Sequence, residues 1–144
     1  MHTYKFYHNI QIRFSDLDTQ WHVNNARFVS FLEEARLAYY RHLKLFEGES
    51  FFDLPLIVAD IHITYLAPIS LHEKIKVGAR VKRLGNKSLE FEFEILSESG
   101  EVKARSENVM VAYDYHQKKT ITLDEKHRKI IAAFEGIEPG PTAR

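Results

Sequence analysis

A chain of 144 residues is the length of one domain, and a fold of that size buries roughly 70% of the surface its unfolded form exposes, enough for a real core. Lysine plus arginine and aspartate plus glutamate balance at 20 each, which argues against a dedicated nucleic-acid binder. The absence of cysteine excludes disulfides, thiolate nucleophiles and cysteine metal sites. The first residues lack the apolar core of a secretory signal, and no apolar run approaches the ~20 residues of a membrane span. The expected compartment is the cytoplasm.

Residues 4–14 alternate, with Tyr4, Phe6, His8, Ile10, Ile12 and Phe14 on one face, which predicts a strand with one buried side. A polar loop covers 15–23, and Asn24 or Asn25 is a natural helix cap. From Ala26 to about Phe46 the period becomes helical. Phe28, Leu32, Ala35 and Tyr39 form an apolar stripe, and Arg27, Glu34 and Arg41 a wetter side. A loop follows over 47–55, then four strand patterns near 57–65, 74–81, 89–95 and 102–115. The last reads as a central strand, with a change of phase that suggests a bulge. Glu90, Glu92 and Glu94 read as an exposed strand face. A short helix is predicted near 124–134, ending a single domain over 1–137, with a flexible tail over 138–144. One antiparallel sheet around one long helix satisfies this order, an α+β fold. Its free edges favour dimerisation.

Chemistry concentrates where the first strand gives way to the helix. Asp16, Asp18, His22, Asn24 and Asn25 fall within ten residues. Such a junction sets loop carboxylates beside the exposed N–H groups of a helix start, where they can activate water or form an acyl intermediate while an oxyanion is held. Asp18 read alone is a catalytic candidate or a turn cap, and Asp16 is a loop-forming residue. His22 either tunes Asp18, contacts substrate or bonds to backbone. Asp60 and His62 are two apart without a third ligand, so no metal site is expected. There is no Gly-rich phosphate loop, Gly-x-Ser-x-Gly elbow or zinc signature, which disfavours a serine-triad hydrolase.

The strand–helix–four-strand order, with Asp16-Leu-Asp18 and His22-Val-Asn24-Asn25 at the junction, resembles the hotdog-fold acyl-CoA thioesterases of the 4-hydroxybenzoyl-CoA thioesterase type. Tyr65-Leu-Ala-Pro68 followed by Glu73, and the 81–89 segment, match further, so that the resemblance covers about residues 4–120. It implies a five-stranded antiparallel sheet wrapped around the long helix, with a short C-terminal helix. It also implies hydrolysis of an acyl-CoA to a carboxylic acid and free coenzyme A, with no cofactor beyond the coenzyme A of the substrate. Asp18 matches the family's catalytic carboxylate, as nucleophile or as general base. Main-chain N–H groups around Asn24 and Asn25 would hold the thioester oxygen, and Lys82, Arg83 and Lys87 would meet the nucleotide phosphates. The partners implied are acyl-CoA and a second copy of the chain, with a further pairing of dimers left open. The family usually has glycine where this chain has Trp21, so the local loop or pocket is expected to differ, and the large ring between Asp18 and Asn24 is read as shaping the acyl pocket. The alternative is a non-catalytic acyl-CoA or lipid-binding protein of the same fold.

Overall fold

The computed structural model describes residues 4–48 and 50–141. The elements in order are β1 (Tyr7–Ile10), a 3-10 turn (Phe14–Asp16), α1 (Asn25–His42), a second 3-10 turn (Phe51–Asp53), β2 (Leu56–Tyr65), β3 (Ile75–Leu84), β4 (Ser88–Ser97), β5 (Val102–Asp114), β6 (Lys119–Thr120) and α2 (Glu125–Glu135). The sheet runs β1-β3-β4-β5-β2, and the short β6 pairs with β5. This is the antiparallel sheet with one long and one short helix that the sequence predicts. The two-residue β6 is an addition.

Contacts gather the described residues into two compact units, one from within 4–39, 63–79 and 93–106, the other from within 40–48, 50–62, 80–92 and 107–141. In the first, β1 lies antiparallel to β3 with Tyr7 opposite Gly78. A side chain at Gly78 would meet the Tyr4 ring at 2.6 Å, so the missing Cβ is what lets that ring lie flat on the strand. Leu32, Ala35 and Tyr39 are fully buried on the apolar stripe of α1, and Phe6 packs edge-on against Tyr39 at 5.7 Å. Each fully buried large apolar side chain contributes about 1.5–3 kcal/mol. The expected strand of 4–14 is shorter as a ladder: Tyr4, Phe6 and Ile12 are buried but lie outside β1, although Phe6 O still accepts from Ala79 N–H at 3.2 Å, and Phe14 is exposed. Glu94 corrects another expectation. It is buried, and its carboxylate accepts from Arg105 at 3.2 Å.

In the second unit, α1 ends earlier than its apolar period suggests. Lys44 takes a left-handed conformation (φ 58), with Lys44 N–H bonded to Arg41 O and Leu45 N–H to Tyr40 O. That pair of bonds is a Schellman stop made with lysine where glycine is usual. Phe46 is still buried, which is why the period ran on. α2 is capped by Asp124, which accepts from His127 N–H at 3.0 Å, and ended by Gly136 (φ 71). Its Arg128 is 1% exposed and donates to Gly85 O, Asn86 O and Pro139 O. Of the expected tail, Pro139 makes this contact, while residues 142–144 lie outside the described residues. A cavity of about 140 Å³ is lined by Tyr40, Leu45, Leu84, Leu89, His127 and Ile131 among others. No helix among the described residues is long and apolar enough to cross a membrane.

Candidate active site

The chain leaves β1, makes the 3-10 turn, and folds back on itself before α1. Leu17 bridges Val23, Asp18 N–H donates to His22 O at 2.9 Å, and Trp21 N–H donates to Asp18 O at 3.1 Å. Residues 18–21 are thus a tight turn headed by Asp18. Gln20 N–H donates to Asp18 Oδ1 at 2.8 Å, the local bond by which aspartate favours turns. Asp18 Oδ2 has no hydrogen-bond or ion-pair partner among the described residues. The carboxylate therefore anchors the turn through one oxygen and leaves the other uncommitted among the described residues.

Closing this turn requires a left-handed residue at position 21, and Trp21 has φ 63. Glycine takes that conformation freely, whereas an L side chain pays about 1–2 kcal/mol. The indole is 65% exposed and packs edge-on against Phe14, also exposed, at 5.9 Å.

Asp16 is buried and structural. Its Oδ2 accepts from Arg13 N–H at 2.8 Å, its Oδ1 lies 3.7 Å from Arg27, and its carbonyl accepts from Asn24 N–H at 2.8 Å. This last bond straps the segment that carries Asp18 to the start of α1. Asn24 is the cap: its Oδ1 accepts from Ala26 N–H at 2.9 Å and its carbonyl from Arg27 N–H. The two asparagines therefore differ. The N–H of Asn24 is committed, whereas that of Asn25 has no acceptor among the described residues. Asn25 N–H stands at the positive end of an 18-residue helix. Tyr65 steadies this first turn by donating its hydroxyl to Asn25 O at 2.9 Å, and its ring packs on Phe28.

His22 is half-buried and bridges Ser70. Its charge acts on Glu73, whose carboxyl lies below its ordinary range. Burial pushes that carboxyl up, but hydrogen bonds from Lys103 and Ser70 N–H, with the charges of Lys103 and His22, outweigh it. Lys103, 2.9 Å from Glu73, was not singled out from the sequence.

Lys82, Arg83 and Lys87 sit in the second unit, at the turn joining β3 and β4. Lys82 pairs with Glu107 at 2.8 Å, which raises its pKa, and Arg83 lies 3.5 Å from Glu90. Lys87 has no ion-pair partner among the described residues. The turn itself is rigid: Gly85 N–H bonds to Ser88 O, Leu123 N–H bonds to Asn86 O, and Arg128 holds both turn carbonyls. Asp60 and His62 are exposed on β2. Among the described residues no group of three or more His, Asp or Glu is arranged to hold a metal.

Known proteins match this architecture. The family model of the thioesterase-like superfamily matches residues 12–131. The chain is 29% identical over 121 residues to the long-chain acyl-CoA thioesterase FadM of Escherichia coli K12, covering 83% of this chain and 92% of that one. It is 32% identical to a thioesterase from Thermus thermophilus, whose crystal structure is a complex with coenzyme A and Zn. That structure superposes with a TM-score of 0.84, covering 96% of this chain and 99% of the other. A DHNA-CoA thioesterase from Staphylococcus aureus, 22% identical, shares the fold with a TM-score of 0.78 over 90% of each chain. With the matched stretch running from Ile12, through the Asp18 turn and the start of α1, to Ile131 in α2, this chain belongs to the thioesterase-like superfamily of hotdog-fold thioester hydrolases.

Proposed function

We propose that the protein is an acyl-CoA thioesterase that uses Asp18 as its catalytic carboxylate. The observation that carries this is the half-committed carboxylate: Gln20 N–H fixes Oδ1, while Oδ2 has no partner among the described residues. The segment bearing it is strapped to the helix start by the bond from Asn24 N–H to Asp16 O. The similarity to an acyl-CoA thioesterase supports the substrate class.

In this reading Asn25 N–H and the positive end of α1 hold the thioester oxygen as negative charge develops on it. Asp18 either takes a proton from the attacking water or attacks the carbonyl itself to give an anhydride that water then opens. Both routes break the C–S bond and form a C–O bond. The thiolate of coenzyme A leaves and is protonated from solvent. No cofactor enters either route. Trp21 and His22 flank the acyl group, and Lys82, Arg83 and Lys87 meet the phosphates. The working unit is a homodimer in the cytoplasm. Supporting the dimer, β2 ends the sheet order with no further strand beside it among the described residues, and its Ile57, Val58 and Tyr65 are exposed.

Thiol release from short, medium, long-chain and aromatic acyl-CoAs, with wild type beside Asp18→Asn, tests the proposal. Release by wild type alone is the expected result. Binding of acyl-CoA without release by wild type would make the protein a carrier or sensor.

A further inference from the structure

Lys103 of β5 is buried, with its side chain 6% exposed. An ammonium has three donors, and here each finds an acceptor: Glu73 at 2.9 Å, Glu101 at 3.1 Å and Pro68 O at 3.1 Å. The same residue's carbonyl accepts from both Leu66 N–H (2.9 Å) and Ala67 N–H (3.1 Å). One residue thus grips the segment 66–73 near its beginning through the main chain and toward its end through the side chain. Glu73 tightens the grip by accepting from Ser70 N–H at 2.6 Å and donating its own N–H to Ser70 O.

That segment is the floor under the Asp18 turn. Ile69 O accepts from Val23 N–H at 2.8 Å, and Ser70 bridges His22. Val23 is the residue before the helix cap and the partner of Leu17 across the turn. A buried charge is costly unless paired, so it holds its acceptors in one arrangement instead of several.

We propose that Lys103 is a positioning residue for hydrolysis: through Glu73 and Pro68 it fixes the 69–70 backbone against which the 18–23 turn and the helix start are set. The inference rests on the thioesterase reading for its kinetic readout only. Lys103 touches no reacting atom. Its effect is to keep Asp18 and Asn25 N–H in register, where a misplacement of one ångström costs about 10²-fold in rate.

The test compares Lys103→Met, Lys103→Arg, Glu73→Gln and Glu101→Gln in the full chain, by acyl-CoA kinetics and by amide hydrogen exchange at Val23. In Lys103→Met, kcat is expected to fall about tenfold or more, with KM within about twofold, and Val23 exchange to quicken about tenfold. Lys103→Arg keeps the charge and enough donors, and should recover most of both readouts. Glu73→Gln should follow Lys103→Met, and Glu101→Gln should not, because Glu101 lies outside the 66–73 segment. Equal effects of Glu73→Gln and Glu101→Gln would overturn the proposal, since a merely structural lysine loses one carboxylate in either case. So would unchanged kcat or unchanged Val23 exchange in folded Lys103→Met. If Lys103→Met fails to fold, the Glu73–Glu101 comparison decides. A wild type that releases no thiol overturns the thioesterase reading alone, because Val23 exchange needs no substrate.

Discussion

Asp18 accepts the backbone N–H of Gln20 through Oδ1 at 2.8 Å, so the proposed catalytic carboxylate is oriented by the turn it heads. Asparagine at this position keeps an oxygen for Gln20 and loses the charge. Asp18→Asn should therefore fold normally and lose about 10²–10⁴-fold in kcat. Asp16→Asn is the contrasting variant. Its buried carboxylate serves Arg13 N–H and Arg27, and its loss should cost about 1–2 kcal/mol in denaturant unfolding. Near wild-type turnover in folded Asp18→Asn would remove Asp18 from the mechanism.

Trp21 carries a left-handed backbone for a ring that is mostly in solvent in the single chain. Trp21→Gly relieves the strain and gives up the Phe14 contact, so stability should change by less than about 1 kcal/mol. The acyl-length preference should shift while catalysis persists. An unchanged preference across the acyl-CoA panel would make the indole a surface ring only.

The basic turn should not act as three equal charges. Lys82 and Arg83 already share theirs with Glu107 and Glu90, whereas Lys87 has no such partner among the described residues. Replacing all three by alanine should raise KM for acyl-CoA, and Lys87→Ala should account for most of the rise. The effect should shrink at high salt. A truncated thioester without the nucleotide should be much less affected. Equal losses on both substrates would end the phosphate assignment.

A charge placed on the β2 edge should break the proposed dimer. Val58→Lys puts an ammonium on a strand position that is 37% exposed in the single chain. Light scattering should show dimers for wild type and monomers with lost activity for the variant. A fully active monomer would refute the dimeric unit.

Burial holds the pKa of His127 below its ordinary value of 6.5, against the pull of Asp124. A depressed folded pKa contributes stability that is present above about 6.5 and lost as pH falls through the folded value. Melting temperature should therefore decline between pH 7 and pH 5, and His127→Phe should flatten that decline. A variant with the wild-type slope would show that other groups set it.

Legibility from sequence followed the physics of each signal. Element order came from periodicity, which is local. The short helix was placed near 124–134, within about two residues of its actual ends, and the Asp18 turn was visible because aspartates and asparagines crowd one junction. The end of α1 was not visible, since Lys44 makes a glycine's turn and Phe46 prolongs the apolar period after the helix has stopped. Lys103 and Glu94 were hidden for a different reason. Charged residues are read as solvated, and what permits their burial is a partner brought close only by pairing of strands. The left-handed angle at Trp21 was not read from the sequence, because nothing in a tryptophan announces a glycine's conformation.

The chain has a single tryptophan, and it is the one at position 21. Its exposed indole lies three residues from the proposed catalytic carboxylate, which makes the protein's own ultraviolet emission a reporter of that turn. Quenching and spectral shift at one known position can be followed in the unlabelled molecule, without contribution from any second indole.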